Sequence, residues 1–403
     1  MSEARFAELL SNFTRPFQSS VARVLREPPE QWTEPFLYGL YRQATDAETF
    51  LDDHGAKRSL TFYQVREAVA RVRWLSLAAS AFAHLTARLP SYRVPDSEAL
   101  QRELGAHLQD LVRRLGGMLV AASQSLEQQW LRSECLWNEE AQEGEEGPQE
   151  RWTLRADRPL EAIESEDESG QTRAARFLGR FVRLSEAWAP EARIRRRGQE
   201  ELTAFMASYC PEPLARMMEA RAHSLQSDFD THLRESSEVE EFPGLMTLRS
   251  SVSQCFHLLE AVTALTHLYE RHWLHEKDRS FRESLEEIAP RMELLDLIVN
   301  GCVIRAYRCL HEHARLAEEL LQQFARPTER KIPLPAGVDL HARPLTLIVA
   351  LVNHHKTPVQ MILVGQPANA ASILSLLLLV GAHPGQREVS FRGSKEVLDD
   401  IQL

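Results

Sequence analysis

Leu340-His341-Ala342-Arg343-Pro344 runs directly into Leu345-Thr346-Leu347-Ile348-Val349-Ala350-Leu351-Val352-Asn353, and this stretch decides how the end of the chain is read. Upstream, Lys331 to Leu334 has strand character and Gly337 supplies a turn. Apolar residues from Leu345 to Asn353 then recur at helical spacing. One histidine and one arginine therefore fall at the positive end of a helix, where unpaired backbone N–H groups and the aligned peptide dipoles favour an anion. An imidazole held there can carry a phosphoryl group.

Working outward, Pro358 to Val364 reads as a strand, Gly365-Gln366 as a hairpin turn and Pro367-Ala368 as a short strand. Ser372 to Val380 is a short apolar helix, bounded beyond by Gly381 and Gly385. Arg387 to Arg392 alternates as a strand, and Ser394 to Ile401 closes as an amphipathic helix with Ser394 at its N-cap. The order β-α-β-β-α-β-α predicts an antiparallel sheet with its helices on one face.

Two motifs in this string carry a resemblance. Leu340-His341-Ala342-Arg343-Pro344 is similar to the active-site turn Gly-Leu-His-Ala-Arg-Pro of the HPr family, the histidine phosphocarrier of the sugar phosphotransferase system. Asn369-Ala370-Ala371-Ser372-Ile373 resembles that family's Asn-Ala-Lys-Ser-Ile regulatory segment at the expected separation. The resemblance covers roughly residues 330–403 and implies an α+β open-faced sandwich. It also implies His341 as nucleophile and phosphoryl carrier, with Arg343 neutralising the phosphate. Ala342, Pro344 and Leu345 form the helix start that would cradle the phosphate. Pro344 suits an early helical position because its missing N–H is not needed there. Ser372 is either a regulatory phosphorylation site, as the resemblance implies, or a plain helix N-cap. Leu374 and Leu377 would belong either to a partner-docking surface or to the core.

The sequence departs from the family pattern in three places: Asp339 stands where glycine is usual, Leu345 replaces a small residue, and Ala371 replaces lysine. The implied partners are an enzyme I-like phosphate donor and an enzyme II-type acceptor domain. No cofactor is called for, since carriage on histidine needs positioning and charge stabilisation rather than a prosthetic group.

From the start to about Phe324 the pattern is helical, as in Phe62, Val65, Val69, Val72 and Leu75. Prolines punctuate it, among them Pro28-Pro29, Pro90, Pro211 and Pro290. A shift of 183 positions sets Arg66 on Arg249, Val69 on Val252, Leu75 on Leu258, His84 on His267 and Arg88 on Arg271. With small insertions Glu34-Pro35-Phe36 matches Glu212-Pro213-Leu214, and Asp110-Leu111-Val112 matches Asp296-Leu297-Ile298. We read a tandem duplication of a helical bundle, 1–138 and 173–326, serving to bind a partner. Between the halves, 139–172 includes Glu139-Glu140-Ala141-Gln142-Glu143 and Glu164-Ser165-Glu166-Asp167-Glu168, an acidic composition expected of a flexible linker.

Composition excludes several classes. With 43% hydrophobic and 26% charged residues the chain is ordinary for a globular protein. Its net charge of −11 argues against nucleic acid as a general partner, and Arg193 to Arg197 reads as a solvated helix face. Five cysteines without a Cys-x-x-Cys pair fit a reducing compartment. The start shows no signal peptide, and Ile373 to Ala382 is too short for a membrane span, so a cytoplasmic location and no membrane insertion are expected. His257, His267, His272 and His275, and separately His311 and His313, do not fall into a repeated metal-ligand pattern.

Overall fold

The computed structural model describes residues 2–92, 98–137, 170–187, 196–274, 279–324, 328–334, 340–355 and 359–402. The acidic segment anticipated as a linker, Asp339 and His275 lie outside them, apart from 170–172, which already belong to the helix Gly170–Glu186. The chain is mainly helical, and among the described residues every strand lies from Thr328 onward.

Two compact units divide it, and they are drawn differently from the two successive bundles read from the repeat. The first takes Met1–Glu164, Trp188–Gln226 and Arg249–Leu310; the second takes Ser165–Ala187, Ser227–Leu248 and His311–Leu403. Residues from both of the stretches read as a repeat thus share the first unit.

In the first unit the helices Glu34–Asp53, Phe62–Arg88 and Glu98–Arg132 pack side by side. Thr33 caps the first of these, its hydroxyl accepting from the Phe36 N–H at 3.4 Å. Phe62–Arg88 is buried on nearly all sides and is correspondingly rich in Ala, Val and Leu. Gly116 lets the Glu98–Arg132 helix approach Pro29, whose ring would lie 2.5 Å from an added Cβ.

Contacts between the aligned halves are reciprocal. Trp74 stacks on His267 with ring centroids 4.1 Å apart, and His84 stacks on His257 at 3.8 Å. Since 183 positions separate Trp74 from His257 and also His84 from His267, the second contact is the first with its partners exchanged, as across a two-fold axis. The aligned glutamates instead pair within their own halves: Glu34 with His84 at 3.0 Å and Glu212 with His267 at 2.8 Å. Arg114 reaches both aligned aspartates, Asp296 at 2.9 Å and Asp110 at 3.7 Å.

Within the C-terminal part of the second unit the elements run β1 (Thr328–Pro333), α1 (Ala342–His355), β2 (Gln360–Leu363), β3 (Gln366–Asn369), α2 (Ile373–Ala382), β4 (Glu388–Gly393) and α3 (Lys395–Gln402). All strand pairs are antiparallel and the sheet order is β1-β4-β2-β3. Burial alternates along β4, with Val389 and Phe391 inside, and Phe391 sits opposite Met361. Leu345 and Val352 of α1, Leu376 and Leu379 of α2, and Val397 and Leu398 of α3 close the same core, so the helices cover one face. The outer face carries Glu388 and Arg392 of β4 and Gln360 of β2 exposed. β1 begins three residues before the stretch expected from Lys331, and the hairpin turn is Val364-Gly365 rather than Gly365-Gln366. Both turn residues have positive φ, 50° and 76°, as a two-residue turn matched to the strand twist requires.

Candidate functional site

His341 immediately precedes the first residue of α1, and its carbonyl accepts the Leu345 N–H at 3.3 Å, the first bond of that helix. The imidazole is exposed, as are Ala342 and Arg343. Pro344 occupies the third helical position and has no N–H. The N–H groups of Ala342 and Arg343 take no acceptor among the described residues, so two donors remain at the helix start. Leu345 lies in the first turn of α1. Its side chain is wholly buried in the core and its N–H is spent on His341, so it anchors the turn instead of offering a donor. That explains why a large residue is accommodated after the proline. Arg343 has no carboxylate partner among the described residues, leaving its planar fork available to an anion.

The second motif is built by local hydrogen bonds. The Asn369 side chain accepts from the Ala371 N–H at 2.9 Å, its carbonyl accepts from the Ser372 N–H at 3.2 Å, and the Ser372 hydroxyl accepts from the Ser375 N–H at 3.3 Å. Ser372 is therefore the N-cap of α2 and half-buried. Asn353 of α1 donates to the Ala371 carbonyl at 3.4 Å, tying the two helices together.

Apart from Ser375, α2 carries only apolar side chains, on its outward face as well as its inward one. Leu376 and Leu379 face the core, while Leu374 is 65% exposed, Leu377 40% and Leu378 66%. A surface helix ordinarily turns polar residues outward; these leucines do not. Sequence reasoning left Leu374 and Leu377 open between a docking surface and the core and did not single out Leu378 or the exposed Leu347 of α1, because an apolar run carries no period that says which side faces water.

Three histidines of the helical part each meet a carboxylate: His257 meets Glu260 at 2.7 Å, His267 meets Glu212 at 2.8 Å and His272 meets Glu67 at 2.7 Å. Glu67 is joined by Arg66, which also reaches Glu48 at 2.6 Å and Asp52 at 3.0 Å. Burial by itself would raise the Glu67 carboxyl, but the hydrogen bond and charge of His272, together with Arg66, outweigh it and hold the group at about 2. Burial depresses His84 and His267, with the neighbouring His257 and His272 respectively adding to the effect and their glutamates opposing it.

Residues 328–402 match the family described as PTS HPr component phosphorylation site, and the C-terminal domain is HPr-like. The match leaves the helical part uncovered. No curated protein and no solved structure matches the chain.

Proposed function

We propose that this chain is a phosphotransfer protein of a phosphotransferase-type relay, carrying the phosphoryl group on His341. One observation supports it above the others: an exposed imidazole at the start of α1, beside two N–H groups and an Arg343 guanidinium that have no partner among the described residues. A ring nitrogen attacks phosphorus of the phosphorylated donor, the donor's own bond to phosphorus breaks and leaves the donor side chain free, and the phosphoramidate formed on His341 passes the group to an acceptor. An enzyme I-like donor and an enzyme II-type acceptor fill those roles, and Ser372 is the candidate regulatory phosphorylation site. A phosphate there would replace the N-cap hydroxyl at a helix N-terminus beside Leu374 and Leu377. No described helix is long and apolar enough to cross a membrane, and the relay chemistry is that of the cytoplasm. The test is incubation with enzyme I and phosphoenolpyruvate. An acid-labile phosphate that disappears in His341→Ala supports the carrier, and wild-type protein that takes no label overturns it.

The reading extends to the helical part as a duplicated bundle, 1–138 and 173–326 joined by 139–172, that binds a protein partner. The exchanged Trp74–His267 and His84–His257 contacts support duplication, since a two-fold relation is what two copies of one bundle generate. A second reading makes the HPr-like domain a docking or phosphorylation-sensing module of a regulatory protein. The outward leucines of α2 favour it, together with Asp339 and Ala371 at positions where the family has glycine and lysine. Capture of one stable partner through the helical part, with His341→Ala leaving the cellular phenotype intact, would decide for this second reading.

A further inference from the structure

Within the first unit, three histidine contacts join helices of the first repeat-like stretch to the second. His84 of Phe62–Arg88 lies against His257 of Gly244–His267, ring centroids 3.8 Å apart. His267, the last residue of that second helix, stacks on Trp74 at 4.1 Å. His107 of Glu98–Arg132 places its Nε2 2.8 Å from the Gly301 carbonyl oxygen, to which it must donate. All three rings are half-buried at the contact itself.

The charges around each ring decide how the contact answers to protons. A proton on His267 would make it the third cation on one carboxylate: Glu212, 2.8 Å away, also binds Arg216 at 2.7 Å and Arg271 at 3.3 Å. His272 lies 5.7 Å from His267 ring to ring and bonds Glu67, while Arg73 lies over the Trp74 ring at 4.2 Å. His84 faces Glu34 at 3.0 Å, with Arg88 close on its own helix, and His257 faces Glu260 at 2.7 Å. Each of these two rings has a carboxylate, but protons on both would press two imidazolium rings together. Around His107 stand Arg305, Glu103 and Asp110. Glu103 reaches Arg305 at 3.2 Å, and Asp110 pairs with Arg113 and, at 3.7 Å, with Arg114, so both carboxylates have cations of their own. Burial is the largest influence on all three rings and favours the neutral form; His84, His107 and His267 are each held below the ordinary imidazole value of about 6.5.

We propose that these contacts form a proton-sensitive joint: in mild acid His84, His107 and His267 take up protons, and the helices they join part locally. A ring released from its contact regains water and binds a proton at its ordinary value, so the opened state holds more protons than the closed one. The joint is therefore at full strength above about pH 6.5 and weakens as pH falls below it. Each proton taken up on opening shifts the opening equilibrium by up to about tenfold per pH unit. The joint is independent of His341 and gives the helical part a response of its own.

Hydrogen exchange of the full chain, read by mass spectrometry at pH 7.5 and 5.5 and corrected for the intrinsic rate, tests this. Amides of Phe62–Arg88 and Gly244–His267 are expected to lose at least about tenfold in protection at the lower pH, while those of β4 keep theirs. His84→Phe and His267→Phe keep a ring in each contact without its charge, and His107→Gln keeps a donor for Gly301. Each variant is expected to remove about threefold of the pH-dependent loss. Equal protection of the two helices at both pH values overturns the proposal. A loss that all three variants retain in full overturns it too, since other groups then carry it. So does a loss shared equally by β4, which marks general acid destabilisation rather than a joint.

Discussion

Trp74 and His267 stack with ring centroids 4.1 Å apart, and the pair is answered by His84 and His257 with the two halves of the chain exchanged. Each aligned histidine also holds an aligned glutamate, Glu34 on His84 and Glu212 on His267. Equivalent environments imply equivalent energetics. His84→Ala and His267→Ala are expected to destabilise the protein by similar amounts, each about 1–2 kcal/mol, from one ring contact and one partly buried contact between a ring nitrogen and a carboxylate. Urea unfolding of the two variants checks this. A large effect at one position and none at the other would mean that the exchanged contacts are not energetically alike.

The buried network around Glu67 makes stability depend on acid. A carboxyl depressed to about 2 contributes stability that is complete above the unfolded-state value near 4.3 and is lost as pH falls toward 2. Glu67→Gln should therefore cost on the order of 3 kcal/mol at neutral pH and progressively less in acid. Denaturation midpoints of wild type and variant should converge as pH is lowered through that window; parallel curves would show that Glu67 does not titrate there.

Val364 occupies a left-handed conformation, φ 50°, which its branched side chain disfavours. Its side chain is exposed, so nothing in the core is lost by replacing it. Val364→Asn is expected to stabilise the HPr-like domain by about 1 kcal/mol, since asparagine tolerates this region in a two-residue hairpin. Thermal unfolding of the variant reads the change directly.

All five cysteines are buried as free thiols. Burial pushes Cys135 up to about 11 and Cys210 up to about 12, and raises Cys255 and Cys302 as well. A thiol reagent at neutral pH is expected to modify none of them on a short timescale in the folded protein and all five in denaturant. Rapid labelling of a native thiol would show that its surroundings open.

Ser372 caps α2 through its hydroxyl, so Ser372→Ala should cost about 1 kcal/mol whether or not the serine is ever phosphorylated. Ser372→Asp keeps an acceptor at the cap and should recover most of that loss. Comparing the two in chemical denaturation separates capping from any effect on phosphotransfer.

The HPr-like domain was legible because its signals are local. A histidine before a helix, an alternating strand from Glu388 to Gly393, and a serine three residues ahead of the N–H it caps are each decided within a few positions. The boundaries at β1 and the β2–β3 turn moved because strand pairing, not propensity, sets where a ladder starts and where it reverses. The burial of Leu345 was not legible for a similar reason: its neighbours along the chain mark a helix start, while its burial depends on Leu376, Val389 and Phe391 far along the chain.

The order of residues alone determined a β-α-β-β-α-β-α domain with an imidazole at a helix start, and it suggested a repeat within the helical part. Only the tertiary structure decided that residues aligned across the repeat meet by exchange, and that Leu374, Leu377 and Leu378 turn outward while Leu376 and Leu379 turn in. The physical reason is range. Helix caps, turns and periodicities are short-range preferences written in neighbouring residues, whereas burial depends on which distant surfaces the folded chain brings within contact.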